Sequence, residues 1–297
     1  MKEIIVISGK GGTGKTSILA SLAVLAKPVI VADCDVDAAD LHILLSPEVL
    51  ERNDFLGGAK VEINPRLCTA CGKCAELCRF DAISLTGEGN EKVKTTYRID
   101  PIACEGCGVC AQFCPEKAIE MTDAVNGRWF VSQSRVGPMV HARLNPAEEN
   151  SGKLVTVVRD RAREIASKEH MDLILVDGAP GVGCPVIASL SGADAALIVA
   201  EPTLSGLHDM QRVSQLARHF GIRAFVCINK WDINPEITEQ ISQAGKQMGV
   251  EVLGKVRYDP AVTRAQVENL PVIEYTADGV CDDIKRLWSQ LAKVIGR

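Results

Sequence analysis

The feature that most constrains this chain is Gly9-Lys10-Gly11-Gly12-Thr13-Gly14-Lys15-Thr16, which fits the pattern G-x-x-x-x-G-K-[ST]. Its context predicts a fold as well as a site. The apolar run Ile4-Ile5-Val6-Ile7 before it reads as a buried parallel strand, and residues 17–25 after it read as a helix. Strand, glycine-rich turn and helix together make a phosphate cradle. The glycines let backbone N–H groups turn inward, and the helix N-terminus adds partial positive charge. Gly9 to Thr16, with Ser17, is therefore the candidate nucleotide-binding segment. Lys15 is placed to reach the β- and γ-phosphates and Thr16 to ligand Mg²⁺. Lys10, a second lysine inside the loop, reads on its own as a solvated loop cation.

Carboxylates fall where phosphoryl transfer needs them. Residues 28–32 predict a second strand running into Asp33-Cys34-Asp35-Val36-Asp37, and the C-terminal end of such a strand lies beside the loop in a doubly wound sheet. Residues 173–176 predict a buried strand ending in Asp177-Gly178-Ala179-Pro180-Gly181. There an aspartate would hold Mg²⁺ through water and a glycine turn would sense the γ-phosphate. Asp37 and Asp40 are weaker candidates, and a polar, aspartate-rich loop is the alternative for residues 33–40. Further strands are expected at residues 195–200, ending in Glu201-Pro202-Thr203, at 224–228, ending in Asn229-Lys230-Trp231-Asp232, at 252–256 and at 271–273. Helices are expected from a cap near Asn150 or Ser151 to residue 169, over 207–220, and over 282–295. Gly152-Lys153 is not a second phosphate loop, because no strand or glycine-rich turn precedes it.

Between about residues 57 and 130 the long apolar periodicity stops and the cysteines begin. Cys68-x₂-Cys71-x₂-Cys74-x₃-Cys78 is followed by Cys104-x₂-Cys107-x₂-Cys110-x₃-Cys114-Pro115. Each run has the bacterial ferredoxin spacing, in which the fourth cysteine ligates the other run's cluster. The expected sets are Cys68, Cys71, Cys74 and Cys114 for one [4Fe–4S] cluster, and Cys104, Cys107, Cys110 and Cys78 for the other. Zinc ribbons use pairs of cysteines rather than two such quartets. Arg79 stands where the second run has Pro115 and brings a cation near one cluster. The stretch 87–99 between the runs reads as a hairpin. Eight of the 12 cysteines lie in these quartets, which favours metal over disulfides and a cytoplasmic chain. The domain expectation follows. Residues 1–56 and 131–297 form one α/β domain with a doubly wound, mostly parallel sheet, and 57–130 are an inserted α+β ferredoxin-like domain.

The form K-G-G-x-G-K-T from Lys10 to Thr16 resembles the deviant Walker A ATPases of the MinD/Mrp superfamily, SIMIBI class, which include MinD, ParA, Mrp-type carriers and the nitrogenase iron protein. Asp33 and Asp35, Asp177, Gly183-Cys184-Pro185, Glu201-Pro202-Thr203 and Asn229-Lys230 extend the resemblance over nearly the full length, here to members carrying an inserted two-cluster ferredoxin domain. The resemblance implies a P-loop ATPase working as a nucleotide-dependent homodimer. In it, Lys10 crosses to the partner's phosphates, Asp35 positions the attacking water, and Lys10, Lys15 and Asp35 carry catalysis. Asp33 joins Thr16 and Asp177 around Mg²⁺. Asn229 and Lys230 hold the nucleotide. Asn-Lys-x-Asp reads guanine in many GTPases, but the resemblance favours ATP and ADP. The implied function is a slow, partner-stimulated ATPase switch whose clusters pass electrons to a partner metalloprotein. The alternatives are a factor for iron–sulfur or metallocluster assembly, and a positioning ATPase of the MinD/ParA kind.

Remaining features mostly exclude. A net charge of −5 gives no basic field for nucleic acid, and no run of 18 apolar residues exists to span a membrane. The first strand begins by Ile4, which leaves no signal peptide to expect. Ile284, Leu287, Trp288, Leu291 and Ile295 make one face of the final helix. Such a helix packs on its own sheet more often than on a membrane, so no peripheral membrane contact is expected. Cys184 follows Asp177 by seven residues, the spacing of a cluster ligand in the nitrogenase iron protein. That protein's other ligand would fall near Asn150, and no cysteine lies between Cys114 and Cys184. Cys184 therefore reads as a small buried or interfacial thiol, and Cys34, Cys227 and Cys281 as packing. The five histidines are scattered and are assigned no metal.

Overall fold

A computed structural model describes residues 1–146 and 151–297. The chain begins with β1 (Lys2–Ser8), α1 (Lys15–Ala26), β2 (Ile30–Asp33), α2 (Leu41–Leu45) and β3 (Glu48–Ile63). It continues through α3 (Lys73–Leu77), β4 (Ile83–Gly87), β5 (Thr96–Ile99), α4 (Val109–Gln112), β6 (Ile119–Ser134) and β7 (Gly137–Leu144). Next come α5 (Ser151–Lys168), β8 (Leu173–Pro180), α6 (Cys184–Leu190), β9 (Ala195–Ala200), α7 (Leu204–His219) and β10 (Arg223–Asn229). The chain closes with α8 (Pro235–Met248), β11 (Glu251–Val256), α9 (Pro260–Val267), α10 (Val272–Tyr275) and α11 (Val280–Ile295).

Among the described residues, nine strands form one sheet in the order β11-β10-β9-β1-β8-β2-β7-β6-β3. Pairing is parallel from β11 across to β7, as a sheet fed by crossover helices must be. The central strands read as unbroken apolar runs because helices cover both faces. Ile4, Ile5, Val6 and Ile7 of β1 are all fully buried, and each such side chain stabilises the fold by about 1.5–3 kcal/mol. Helix α1 is apolar nearly all round, with Ile18, Leu19, Leu22 and Ala23 buried in the core that α11 closes with Ile284, Leu287 and Leu291. Trp288 and Ile295 pack on the same core, which shows what the apolar face of the last helix covers.

Register decides where chemistry gathers. Asp33 lies opposite Asp177 across β2 and β8, and Val6, two residues before Ser8, also lies opposite Asp177 across β1 and β8. Both carboxylates and the loop after β1 therefore emerge at the same C-terminal edge of the sheet.

Contacts divide the chain into two compact units. One comprises Met1–Asn53, Trp129–Arg143 and Ser151–Arg297; the other is formed mainly by Asp54–Arg128. The division falls within β3 and β6. Inside the second unit β4 and β5 pair antiparallel, which is the expected hairpin. Its small core combines Val61, Ile99 and Cys110 with Ile63, Ile83, Ile119 and the cysteines Cys74 and Cys104.

Several expectations need correction. Residues 271–273 are not a strand: Pro271 caps the short helix α10, since it has no N–H to donate to a sheet ladder. Helix α7 starts at Leu204 rather than 207, because Thr203 Oγ1 accepts from Gly206 N–H at 2.9 Å and caps it there. The expected cap at Asn150 lies outside the described residues, as does the side chain of Ser151. The strands β3, β6 and β7 were not among those expected. Much of β3 and β6 is solvent-facing and lacks a clean alternation, so periodicity has little to report there.

Candidate nucleotide site and cysteine cavity

The loop between β1 and α1 is built by left-handed glycines. Gly14 has φ of 87°, and a Cβ there would run into Asn229 Nδ2. Only glycine suits both the dihedral and the close approach. Asn229, at the end of β10, donates to Thr13 O at 2.7 Å and so ties the loop to a strand two places from β1 in the sheet. Ser8 Oγ donates to Lys10 O at 2.8 Å and fixes the other side.

Lys15 is the centre of the charged site. Its Nζ donates to Asp177 Oδ1 at 2.6 Å and to Asp35 Oδ2 at 3.3 Å. Burial works against its charge, but Asp177 and Asp35 outweigh it and hold the ammonium above its ordinary value. Thr16 Oγ1 donates to Asp177 Oδ2 at 2.8 Å. The hydroxyl and carboxylate expected around Mg²⁺ are thus adjacent. Asp33 is fully buried, with Oδ1 accepting from Asp35 N–H at 3.2 Å and Oδ2 without a hydrogen-bond partner among the described residues. Burial first, and then the nearby charge of Asp177, push its carboxyl well above the usual range. Asp35 is also raised, by burial, against the pull of Lys15. Thr13 Oγ1 is a second buried polar atom without a partner. A loop with left-handed Gly12 and Gly14, one cation among three carboxylates, and two buried polar atoms with no partner among the described residues suit a phosphate chain with a divalent cation.

Beside the loop, a pocket is lined by Gly12, Gly14, Asn229, Lys230, Tyr258 and Gln266 among others. Asp232 is not one of its lining residues. Its Oδ1 instead accepts from Tyr258 N–H at 2.7 Å. Lys230, left-handed at φ 56°, reaches Gly12 O at 3.5 Å and Glu201 Oε1 at 2.8 Å. Lys10 Nζ meets Glu201 Oε2 at 3.2 Å. Sequence reasoning singled out Glu201 only as a motif residue. The structure gives it two lysines. Cys184 is exposed at the start of α6 rather than buried, whereas Cys34, Cys227 and Cys281 are buried.

In the second unit, Cys68, Cys71, Cys74 and Cys114 border one cavity, with Ile63, Tyr97 and Ile119 in its wall. Ala70 N–H donates to Cys68 Sγ at 3.4 Å and Ala118 N–H to Cys114 Sγ at 3.3 Å. Burial and the neighbouring Cys68 and Cys71 push the Cys74 thiol up to about 11. Burial, with smaller contributions from Cys104 and Cys107, also raises the Cys110 thiol. Cys78 sits at the C-terminal end of α3, partly exposed. Among the described residues, no group of three or more His, Cys, Asp or Glu side chains is set to hold a single metal ion. Nor, among those residues, is any helix long and apolar enough to cross a membrane.

A family model described as the CobQ/CobB/MinD/ParA nucleotide binding domain matches residues 4–272. The uncharacterized protein MJ0578 of Methanocaldococcus jannaschii is 35% identical over 236 residues, covering 78% of this chain and 79% of that protein. An uncharacterized ATP-binding protein of the same organism, MJ0547, is 23% identical over 287 residues, 91% of this chain and 79% of that one. Among solved structures, the septum site-determining protein MinD of Pyrococcus horikoshii complexed with Mg-ADP superposes with a TM-score of 0.60 at 17% identity, covering 99% of this chain and 97% of that one. A chain of the MinC:MinD cell division protein complex of Aquifex aeolicus gives 0.58 at 18%, covering 100% of this chain and 97% of that one. At these identities the structures speak for the fold, an α/β, mostly parallel P-loop architecture like that of MinD.

Proposed function

This chain belongs to the CobQ/CobB/MinD/ParA nucleotide-binding family, and from that premise we propose that it is an ATP-hydrolysing switch of the MinD/ParA type that closes into a nucleotide-bound homodimer. The observation that carries the proposal is the joint placement of Lys15, Thr16 and Asp177 within 2.8 Å contacts at the loop. Before nucleotide binds, Asp177 and Asp35 occupy Lys15 as a phosphate would. With nucleotide bound, Lys15 would face the β- and γ-phosphates, Thr16, Asp177 and Asp33 would hold Mg²⁺, and Asp35 would be free to orient water. Lys10, Lys15 and Asp35 are the proposed catalytic residues, and Lys10 acts in the partner's site. Structural neighbours that are a cell division ATPase MinD and a MinD complexed with Mg-ADP are in keeping with this reading, and a MinC:MinD complex is in keeping with a partner protein.

Adenine is the proposed base. Asp232, the residue that would read guanine, is engaged by Tyr258 N–H. We expect ATP to bind about ten-fold or more tightly than GTP, and Asp232→Ala to leave that ratio unchanged. Equilibrium titration with fluorescent nucleotides measures it. GTP binding that equals ATP binding and collapses in Asp232→Ala would reverse the assignment.

The role of the second unit rests on this chain's own cysteines, because the comparisons support a MinD/ParA-type positioning switch and carry nothing for electron transfer. Residues 57–130 are proposed as a domain holding two [4Fe–4S] groups, one on Cys68, Cys71, Cys74 and Cys114, the other on Cys104, Cys107, Cys110 and Cys78. The cavity shared by the first four thiols supports it, as do the N–H donors to Cys68 and Cys114. A single tetrahedral ion would need its sulfurs within about 2.3 Å of one point, whereas a four-iron cluster takes one thiolate per iron. That is why a cavity rather than a tight knot suits it. Such groups, when bound, supply one-electron transfer. The proposed protein is a cytoplasmic, nucleotide-driven dimer serving a partner protein; the family favours a positioning ATPase of the MinD/ParA kind, and the cysteines alone argue for electron donation or for assembly of the partner's metal centre.

A further inference from the structure

At the end of β9 one carboxylate serves two lysines. Glu201 Oε1 accepts from Lys230 Nζ at 2.8 Å, and Oε2 lies 3.2 Å from Lys10 Nζ. Lys10 Nζ also approaches Ser205 Oγ at 3.4 Å, and Ser205 Oγ lies 3.2 Å from the capping hydroxyl of Thr203. The frame behind this cluster is closely packed. A Cβ on Gly9 would collide with the Asp209 side chain of α7, so the first half of the loop and the start of α7 are packed backbone to side chain. Although burial opposes its charge, hydrogen bonds from Lys230 and Lys10 keep Glu201 ionised below its usual range.

The Lys10 ammonium cannot rest on Glu201 and also lie in a second chain's phosphate site. We propose that Glu201 is a positioning residue that latches Lys10 to its own chain, so that closing of the dimer requires this ion pair to open. The inference rests on the switch reading above. One feature makes the latch reversible. When Lys10 leaves, Lys230 remains on Glu201, so no buried charge is orphaned and the large cost of breaking an isolated buried pair does not arise. The Lys10 side chain is 36% exposed and that of Glu201 19%, which puts the pair among the weak, partly solvated kind. Two latches open per dimer, and together they shift the dimer equilibrium by about ten-fold. Glu201 would thereby set the chain concentration at which ATP drives closure.

Sedimentation of the intact chain at graded concentrations in a slowly hydrolysed ATP analogue with Mg²⁺ tests this. In Glu201→Gln the dimer midpoint should fall by about ten-fold. In Glu201→Asp, which keeps the charge but shortens the reach, it should lie between parent and Glu201→Gln. Nucleotide affinity measured in a Lys10→Ala background should not change with Glu201→Gln, which a merely structural role would disturb. An unchanged or higher midpoint in Glu201→Gln overturns the latch. So does a Lys10→Ala/Glu201→Gln chain that dimerises better than Lys10→Ala alone, because Glu201 would then act without Lys10. Should Glu201→Gln not fold, the ordering of parent and Glu201→Asp decides. A Lys10→Ala chain that dimerises like the parent strikes the trans role of Lys10 itself, and so separates failure of the switch reading from failure of the latch.

Discussion

Asp35→Ala is expected to bind ATP·Mg²⁺ as tightly as the parent chain and to hydrolyse it about 10²–10³-fold more slowly. The asymmetry follows from what Lys15 touches. Asp35 is the more distant of its two carboxylate partners, at 3.3 Å against 2.6 Å for Asp177. In the proposed cycle it makes no ground-state contact on which nucleotide binding depends. Its removal would then cost the proposed water-orienting group and spare the cradle. Lys15→Ala behaves oppositely. It removes the cation that faces the phosphates and leaves Asp33, Asp35 and Asp177 crowded without it, so nucleotide binding itself is lost and stability falls. Calorimetric titration alongside single-turnover hydrolysis separates the two. Equal loss of binding in both variants would mean that the roles of Asp35 and Lys15 are wrongly divided.

The second large effect concerns which cysteines act together. Anaerobically purified parent protein is expected to carry about eight irons and eight acid-labile sulfides per chain, from two complete quartets. If each fourth cysteine serves the other run's cluster, Cys74→Ala with Cys114→Ala damages one site only and leaves about four irons. Cys74→Ala with Cys78→Ala damages both, although both residues lie in the first run. The cavity bordered by Cys68, Cys71, Cys74 and Cys114 is the structural reason to expect this crossing. Iron and sulfide analysis of the two double variants, with spectra of the reduced proteins, gives the answer. A native protein loaded with zinc and free of iron would end the cluster reading altogether.

How legible these features are in the sequence depends on how local the physics is. The phosphate loop is a local device, with strand, glycines, lysine and helix contiguous from Ile4 to Leu25, and its reading needs no tertiary information. Asp33 and Asp177 are read separately, as carboxylates at strand ends. Their meeting depends on a strand pairing between residues far apart in sequence, but parallel α/β topology makes that pairing predictable. Asn229 is found the same way. Glu201 is visible as a strand-end carboxylate, yet its contact with Lys10 and Lys230 depends on side-chain directions from three separate segments, and nothing in the spacing reports those. The edge strands β3 and β6 fail for a different reason. Solvent faces much of each, so neither carries the apolar run or alternation by which buried strands announce themselves. Residues 271–273 mislead through β-branched residues after a proline, where a one-turn helix forms instead.

In the proposed switch nucleotide state controls assembly, and sedimentation velocity of the intact chain is its sharpest test. With ATP·Mg²⁺ or a slow analogue, the parent and Asp35→Ala chains should sediment as dimers. With ADP both should be monomers, and Lys10→Ala should remain a monomer with either nucleotide while still binding it. Sedimentation that does not respond to nucleotide, or a Lys10→Ala chain that dimerises as the parent does, would contradict the account.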